Sequence, residues 1–212
     1  MSIYPLRSVT AVRPKNSRPW ILSWALAFAF AGQPVLGAPQ SVATFAGGCF
    51  WCMEEAFEKV PGVVSVTSGY TGGEPVSPTY QDVSNGGTGH AEAIEVRYDP
   101  SRVNYGQLLE VFWHNIDPLT PNAQFCDHGD QYRSAIFYHH DEEKRLADAS
   151  KLGFSQSGRF KAPIVTEIVA AGTFYPAEEY HQDYYRKNPV RYEFYKHSCG
   201  RAKRLEELWG SP

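Results

Sequence analysis

The chain is poor in basic residues beyond its first 19 positions and poor in cysteine, and each shortage excludes some classes of function. The first 19 residues contain four of the 20 basic side chains and none of the 23 acidic ones, so the remainder (16 basic, 23 acidic) carries a net charge of −7. We therefore expect no nucleic-acid partner. There are only four cysteines among 212 residues. A core of this size does not need disulfide staples, so the placement of the cysteines must indicate their role.

No apolar run is long enough to cross a bilayer. The run WILSWALAFAF (20–30) is followed by Gly32 and Pro34 before it reaches the roughly 17–20 residues that a spanning helix requires. Basic residues precede this run and small residues follow it, a layout that is typical of a secretory signal peptide. We expect a signal peptide at 1–37, a single domain at 38–212 with no stable membrane span after processing, and export to the periplasm.

The hydrophobic pattern predicts alternating strands and helices in the order β-α-β-β-α-β. This order predicts the α+β class: a two-layer sandwich with a ferredoxin-like core, a mixed or antiparallel sheet, helices on one face and an irregular C-terminal wrap. The predicted strands cover 42–46, 63–70, 91–99, 132–140 and 163–172; the predicted helices cover 50–60, 104–116, 141–154 and 177–186, with a final helical turn at 201–209.

The stretch GGCFWC (47–52) lies where a predicted strand meets a predicted helix. Unpaired amide hydrogens and the helix dipole stabilise an anion at such a junction, so we expect the pKa of the Cys49 thiol to be lowered and the thiolate to act as a nucleophile. A buried half-cystine is the alternative for this residue. Phe50 and Trp51 anchor the helix in the core or form an apolar cage for a small substrate group.

The spacing of Cys49 and Cys52 also fits a thioredoxin-type dithiol or half of a zinc site. Zinc is disfavoured because the other two cysteines, Cys126 and Cys199, lie far apart with no partner at ligand spacing. No metal is therefore expected.

Five motifs in order resemble the A-type peptide-methionine (S)-S-oxide reductases, and the resemblance covers 42–199. They are GGCFWCMEEAFEKVPGVVSVTSGYTGG, PTYQDVSNGGTGHAEAIEVRYDP, FWHNIDP, DHGDQYRSAIFY and YPAEEYHQDYYRKNP. The resemblance implies an oxidoreductase that reduces the S epimer of methionine sulfoxide, free or in oxidised proteins, and so repairs them under oxidative stress. It implies no bound cofactor and an external thioredoxin-like thiol reductant. Separately, we expect the protein to be a monomer.

The resemblance also assigns roles to residues of this chain. Cys49 would attack the sulfoxide sulfur and become a sulfenic acid, while Glu92, kept protonated by burial, would supply the proton that the oxygen needs. The resemblance also implies that Tyr80 and Tyr132 hydrogen-bond the sulfoxide oxygen and that Phe50 and Trp51 form the pocket for the S-methyl group. It implies supporting roles for Asp127, which helps to position the site, and for His181.

A second thiol must then attack the sulfenic acid to form a disulfide. We expect Cys199 to be this second thiol, because the reductases that the sequence resembles commonly use a C-terminal cysteine. In addition, Gly200 favours a mobile segment and the flanking basic residues favour a thiolate. Cys52 and Cys126 are the alternative resolving residues. The tail contains no second cysteine to which a disulfide could be relayed.

Two other functions remain open at this point. One is a thioredoxin-like disulfide oxidoreductase that uses Cys49 and Cys52 alone. The other is a secreted binding module in which the four cysteines form two structural disulfides.

Overall fold

The structure is a computed structural model, and it describes residues 1, 10, 11, 40–74 and 77–210. The chain divides into two compact units, Met1–Leu36 and Gly37–Pro212. Apart from three isolated positions, the predicted signal peptide at 1–37 lies outside the described residues. Within the described residues no helix has both the length and the apolarity needed to cross a membrane.

Every helix and strand of the described residues lies in the second unit. In chain order they are β1 (Ser41–Gly47), α1 (Phe50–Glu58), β2 (Val63–Thr71), α2 (Tyr80–Ser84), β3 (Ala91–Tyr98), α3 (Tyr105–His114), β4 (Ala123–Gln124), β5 (Asp127–His128), β6 (Ser134–Tyr138), α4 (Asp141–Gln156), β7 (Glu167–Ala170), β8 (Tyr175–Pro176), α5 (Tyr184–Lys187), α6 (Pro189–Ser198) and α7 (Arg201–Trp209). Single 3₁₀ turns lie at Asp130–Tyr132 and Glu179–His181.

The main sheet confirms the predicted fold class. Its strand order is β7-β6-β1-β3-β2-β8. The four central strands pair antiparallel with one another, and β7 joins β6 in parallel, so the sheet is mixed. The order β6-β1-β3-β2, with α1 between β1 and β2 and α3 between β3 and β6, is the ferredoxin-like arrangement that the sequence predicts.

The alternation along β3 determines which of its side chains can reach the site. Ile94 and Val96 are fully buried in the core beneath the helices, while Ala91 and Ala93 pack in a small cluster on the opposite face. Side chains two apart on a strand share a face, so Glu92 projects to the helical side. Glu92 lies near the N-terminal end of β3, where its partner on β2 is Tyr70.

Three regions differ from the predicted elements. The glycine-rich loop at 71–90 contains α2, which a capping box between Thr79 and Asp82 stabilises. The segment predicted as a loop at 117–131 contains the β4–β5 hairpin. The predicted strand at 163–172 is reduced to the four residues of β7, because the residues before it do not pair with the sheet.

The predicted irregular wrap after residue 186 is largely helical. Pro189 occupies the first turn of α6, where its missing N–H costs nothing. The hydrophobic pattern of α6 is misleading, because Tyr192 is buried while Val190 and Phe194 are 82% and 76% exposed. A helix that buries its tyrosines and exposes its aliphatic side chains lacks the amphipathic pattern on which the prediction relied.

Candidate active site

The chain turns sharply between β1 and α1, and this turn positions Cys49. Gly48 has a positive φ of 80°, and a Cβ there would lie 2.4 Å from the Cβ of Gln124. Only glycine fits such a position. Cys49 is the residue that caps α1, and its carbonyl accepts the amide of Cys52 at 3.1 Å. Both thiols therefore lie within the first turn of the helix.

A cavity of about 90 Å³ opens at Cys49. The structure brings together in its wall seven of the predicted site residues: Cys49, Phe50, Trp51, Tyr80, Glu92, Asp127 and Tyr132. An eighth lining residue, Tyr195, was missed by the sequence reasoning. Three predicted cysteines, Cys52, Cys126 and Cys199, do not line this cavity. The volume suits a small group at the end of a side chain better than a whole peptide.

Glu92 is almost completely buried and lies beside the start of α1. Its Oε2 atom accepts a hydrogen bond from the backbone amide of Phe50 at 3.1 Å. Burial raises the pKa of the carboxyl group to about 8, against the lowering effect of that hydrogen bond, and the negative charge of Asp127 adds to the rise. The group is therefore a neutral acid at pH 7 that can donate a proton.

Tyr80 and Tyr132 direct two hydroxyl groups to the same cavity. The backbone amide of Tyr80 is held by Glu178 at 2.8 Å. Burial and the nearby charge of Glu92 raise the pKa of Tyr80 to about 12, and the same causes raise that of Tyr132 further. Both phenols stay protonated and can donate hydrogen bonds to an oxygen in the cavity.

The apolar side of the cavity is held by a stack of rings. Trp51 lies flat against Tyr184, with ring centroids 3.7 Å apart, and its Nε1 atom donates to Nδ1 of His181 at 3.1 Å. The His181 ring also packs against Phe50 and Tyr80, at 5.1 and 4.3 Å between centroids. These contacts fix the orientation of Phe50 and Trp51, so the wall is preformed. They also place His181 in the supporting position that the sequence predicts.

The expected lowering of the Cys49 pKa is wrong for this structure. Burial raises the pKa of the Cys49 thiol well above its ordinary value, and its hydrogen bond to Cys52 adds to the rise. That same hydrogen bond lowers the pKa of Cys52 to about 6, with help from the positive charge of Arg201. Of the two thiols, Cys52 is therefore the one that ionises more easily, because the positive charges of Arg201 and Lys196 favour its thiolate.

Tyr195 links Cys49 to Asp127. Its hydroxyl group donates a short hydrogen bond to Asp127 Oδ2 and lies within hydrogen-bonding reach of the Cys49 thiol. Burial raises the pKa of both Tyr195 and Asp127. Tyr195 and Tyr192 are three residues apart on α6, which places them on one face of the helix. That spacing was the signal available in the sequence, but only the tertiary structure shows which face is buried.

Cys199 is not the free thiol of a mobile tail that its sequence context predicts. It lies at the C-terminal end of α6 and forms a disulfide with Cys126, with 4.9 Å between the two Cα atoms. Cys49 and Cys52 are the free cysteines. In this state, Cys52 is therefore the thiol available beside Cys49, because the sulfurs of Cys126 and Cys199 are already bonded to each other.

Two groups of side chains bring possible metal-ligating atoms together in the described part of the chain. In one group, Cys126 and Cys199 accompany Asp127, but disulfide sulfurs are not the thiolates that metals bind. The other group contains Glu54, Glu58 and Asp183. The two carboxylate oxygens of Glu54 already accept hydrogen bonds from the Ser68 hydroxyl and the Asp183 amide.

Comparison with known proteins agrees with this geometry. The family model described as peptide methionine sulfoxide reductase matches residues 41–212. Proteins named peptide methionine sulfoxide reductase MsrA from Bacillus pumilus and Listeria monocytogenes are 52% and 54% identical over 170 and 167 residues. These matches cover 80% and 79% of this chain and 96% and 94% of the relatives.

Two solved structures have similar folds. The reduced form of Mxr1 from Saccharomyces cerevisiae has a TM-score of 0.65 at 35% identity and covers 71% of this chain and 86% of its own. Methionine sulfoxide reductase A of Corynebacterium diphtheriae has a TM-score of 0.64 at 32% identity, with coverage of 75% and 78%.

Proposed function

Because this chain belongs to the peptide methionine sulfoxide reductase family, we propose that it reduces the S epimer of methionine sulfoxide to methionine, using Cys49 as nucleophile and Glu92 as general acid. The observation that supports these roles is the shared cavity. It places a thiol, a neutral carboxylic acid and tyrosine hydroxyl groups around a space the size of a sulfoxide group. A thioredoxin-like dithiol activity is not favoured, since it would need none of the polar groups opposite Cys49.

The walls of the cavity orient the substrate. The sulfoxide methyl group packs against Phe50 and Trp51, where an apolar surface binds it without losing hydrogen bonds. The oxygen then faces Glu92 and the hydroxyl groups of Tyr80 and Tyr132. The sulfoxide sulfur carries three different groups and a lone pair, so it is a stereocentre. When the methyl group packs against the apolar wall, only one epimer directs its oxygen toward the hydrogen-bond donors.

The first chemical step forms a transient sulfur–sulfur bond and moves the sulfoxide oxygen from the substrate to Cys49. Cys49 gives up its proton along the hydrogen bond to the Cys52 thiolate and attacks the sulfoxide sulfur, while Glu92 protonates the oxygen. The transient sulfur–sulfur bond then breaks as the protonated oxygen bonds to the sulfur of Cys49. Methionine leaves with its sulfur reduced by two electrons, and Cys49 becomes a sulfenic acid, oxidised by two electrons.

Cys52 completes the intramolecular cycle. Its sulfur attacks the Cys49 sulfenic acid, forms a disulfide and releases the oxygen as water. This assignment differs from the choice of Cys199 on sequence grounds. It is supported by the position of the two free thiols in the first turn of α1 and by the bond between Cys126 and Cys199. An external thioredoxin-like dithiol would then reduce the disulfide.

We also propose that the substrates are methionine sulfoxides in oxidised proteins of the periplasm. The sequence pattern of residues 1–37 supports export, and the family match beginning at residue 41 supports a leader that precedes the reductase domain. Mass analysis of the secreted protein tests this proposal, because a chain that retains Met1 would contradict it.

A single-turnover experiment tests the catalytic proposal. Reduced, desalted protein is mixed with excess S or R epimer of N-acetyl-methionine sulfoxide, and methionine and free thiols are counted. We expect one methionine per protein from the S epimer only, loss of the Cys49 and Cys52 thiols, and no product from Cys49→Ser. Cys52→Ser should still form one methionine and leave a sulfenic acid that dimedone labels. Equal use of both epimers would contradict the proposed pocket.

A further inference from the structure

A second cavity lies behind the first turn of α1. It has a volume of about 350 Å³, and Cys52 contributes to its wall, whereas Cys49 does not. The smaller cavity shows the opposite arrangement, because Cys49 lines it and Cys52 does not. The two thiols influence each other's ionisation, yet each lines a different cavity.

The wall of this second cavity is positively charged. Lys59, Lys196 and Arg201 line it together with one acid, Glu55. Both lysines contact the Glu55 carboxylate, at 2.6 and 2.5 Å. Among the described residues, Arg201 has no carboxylate contact of this kind: it is only 4% exposed and donates to the backbone carbonyl of Asn115. The three cations therefore exceed the one carboxylate.

Oxidation makes the cavity more positive. In the reduced protein the negative charge shared by the two thiols rests on Cys52, close to Arg201. A disulfide between Cys49 and Cys52 is neutral, so its formation removes that negative charge and leaves the cations in place. The attraction for an anion is greatest in the state of the protein that needs a reductant.

We propose that this cavity is the binding site of a small thiol that carries a carboxylate, and that this thiol is a second reductant, besides a thioredoxin-like dithiol, which reduces the Cys49–Cys52 disulfide by attacking the Cys52 sulfur. The inference rests on the proposed function only in requiring that disulfide. The carboxylate binds among Lys59, Lys196 and Arg201, and the thiolate approaches Cys52 from the side opposite the methionine cavity.

The reduction takes two exchange steps. In the first, the incoming thiolate bonds to the Cys52 sulfur and expels the Cys49 thiolate, which takes up a proton. In the second, another molecule of the thiol attacks the outer sulfur of the mixed disulfide and expels Cys52 as a thiolate, beside the cation of Arg201. Two thiols are oxidised to one small disulfide, and the two electrons restore Cys49 and Cys52.

Separate cavities predict a kinetic pattern. A reductant that shared the small cavity would compete with methionine sulfoxide for the oxidised protein, so excess substrate would inhibit turnover and added thiol would relieve the inhibition. With separate cavities, we expect no such inhibition. Inhibition that is competitive with the thiol would overturn the proposal.

The charge of the cavity is tested with two thiols of similar size, 3-mercaptopropionate and neutral 2-mercaptoethanol. Lys59→Gln should raise KM for the anionic thiol by roughly two- to fivefold, a change typical of one exposed charge, with a smaller effect on the neutral thiol. Lys144→Gln is the matched control, because Lys144 is an exposed lysine of α4 that pairs with Asp148. Equal effects of Lys59→Gln on both thiols would contradict the proposed carboxylate site.

The attacked sulfur is identified directly. Protein oxidised by one turnover is mixed briefly with 3-mercaptopropionate, quenched with N-ethylmaleimide and fragmented by mass spectrometry. We expect the mixed disulfide on Cys52 and the maleimide on Cys49; the reverse distribution overturns this inference and leaves the proposed function intact. Peptide mapping before the thiol is added distinguishes failure of this inference from failure of the proposed function. If the Cys49–Cys52 disulfide is absent at that stage, the proposed function is refuted, and this inference with it.

Discussion

The backbone amide of Phe50 donates a hydrogen bond to Oε2 of Glu92, which connects the first residue of α1 to the second residue of β3. Phe50 follows the nucleophile directly, so this contact fixes the acid relative to Cys49. Because Oε2 accepts the amide, we expect the acid proton on Oε1, the oxygen left free for substrate. The same hydrogen bond favours the carboxylate, and burial outweighs it.

We expect the rate of the first turnover to follow a bell-shaped dependence on pH. The rate should rise as the thiol pair gains its negative charge, with the pKa of Cys52 at about 6, and fall as Glu92 loses its proton, with a pKa of about 8. Glu92→Gln should lower the maximal rate about 10²-fold or more, because an amide cannot protonate the leaving oxygen.

Stopped-flow measurement on reduced protein without external thiol keeps the titration of the reductant out of this profile. Glu95→Gln, which alters a less buried glutamate of the same strand, is the matched control. If the decline above pH 8 persisted unchanged in Glu92→Gln, the assignment of Glu92 as the acid would be refuted.

Glu92 should also weaken the fold as pH rises. Its pKa is about 8 in the folded protein and about 4.5 in the unfolded chain, so between these values only the folded state holds the proton. The contribution of Glu92 to the free energy of unfolding is therefore fully present below pH 4.5 and is lost as pH rises to 8. Relative to wild type, Glu92→Gln should gain stability over that range, by about 1 kcal/mol or more.

Urea unfolding at pH 5 and pH 8 measures this difference. The comparison between the two proteins at each pH removes the contributions of other groups, such as Glu54, that titrate in both. A constant difference between wild type and Glu92→Gln at the two pH values would show that the carboxyl group is not held neutral by burial.

The parts of the structure that were predictable from sequence are those with a regular hydrophobic period. The central strands and helices were predicted because their buried side chains recur every two or about 3.6 residues. Seven site residues could be named because they belong to motifs of a recognised family. The geometry that unites them, from β3 to the 3₁₀ turn at Tyr132, depends on long-range strand pairing that no local pattern contains.

The C-terminal region shows why the rest could not be predicted. The position of α6 is determined by the contacts of Tyr192 and Tyr195 with residues more than 60 positions earlier, Glu55 and Asp127. The expectation for the Cys49 thiol failed for a related reason. A helix N-terminus does lower the pKa of a thiol, but burial and the competing Cys52 thiol outweigh that effect here.

Tyr195 should contribute to the reactivity of Cys49. Tyr195→Phe removes the hydroxyl group between Cys49 and Asp127, and we expect the first-turnover rate to fall about tenfold, the usual effect of losing a hydrogen bond to a charged group. Tyr185→Phe is the control, since its hydroxyl group donates to Glu58, outside the cavity. Equal rates for the two variants would show that the Tyr195 hydroxyl does not act on the reacting thiol.

The bond between Cys126 and Cys199 should stabilise the fold without taking part in the redox cycle. It closes a loop across a sequence separation of 73 residues and holds the end of α6 against the β4–β5 hairpin. Cys126→Ser and Cys199→Ser should each lower the free energy of unfolding by roughly 2–4 kcal/mol. Denaturant unfolding measures this loss, and equal losses in the two variants are expected because each removes the same bond.

The same two variants separate a structural role from a resolving one. With Cys199→Ser, we expect one methionine per protein and a complete Cys49–Cys52 disulfide after a single turnover. The first-turnover rate should fall less in Cys199→Ser than in Tyr195→Phe. Loss of the disulfide loosens the positions of Asp127 and of α6, but the Tyr195 hydroxyl group that contacts Cys49 is still present. A Cys49 sulfenic acid that accumulates in Cys199→Ser, but not in Cys126→Ser, would instead identify Cys199 as the thiol that attacks it.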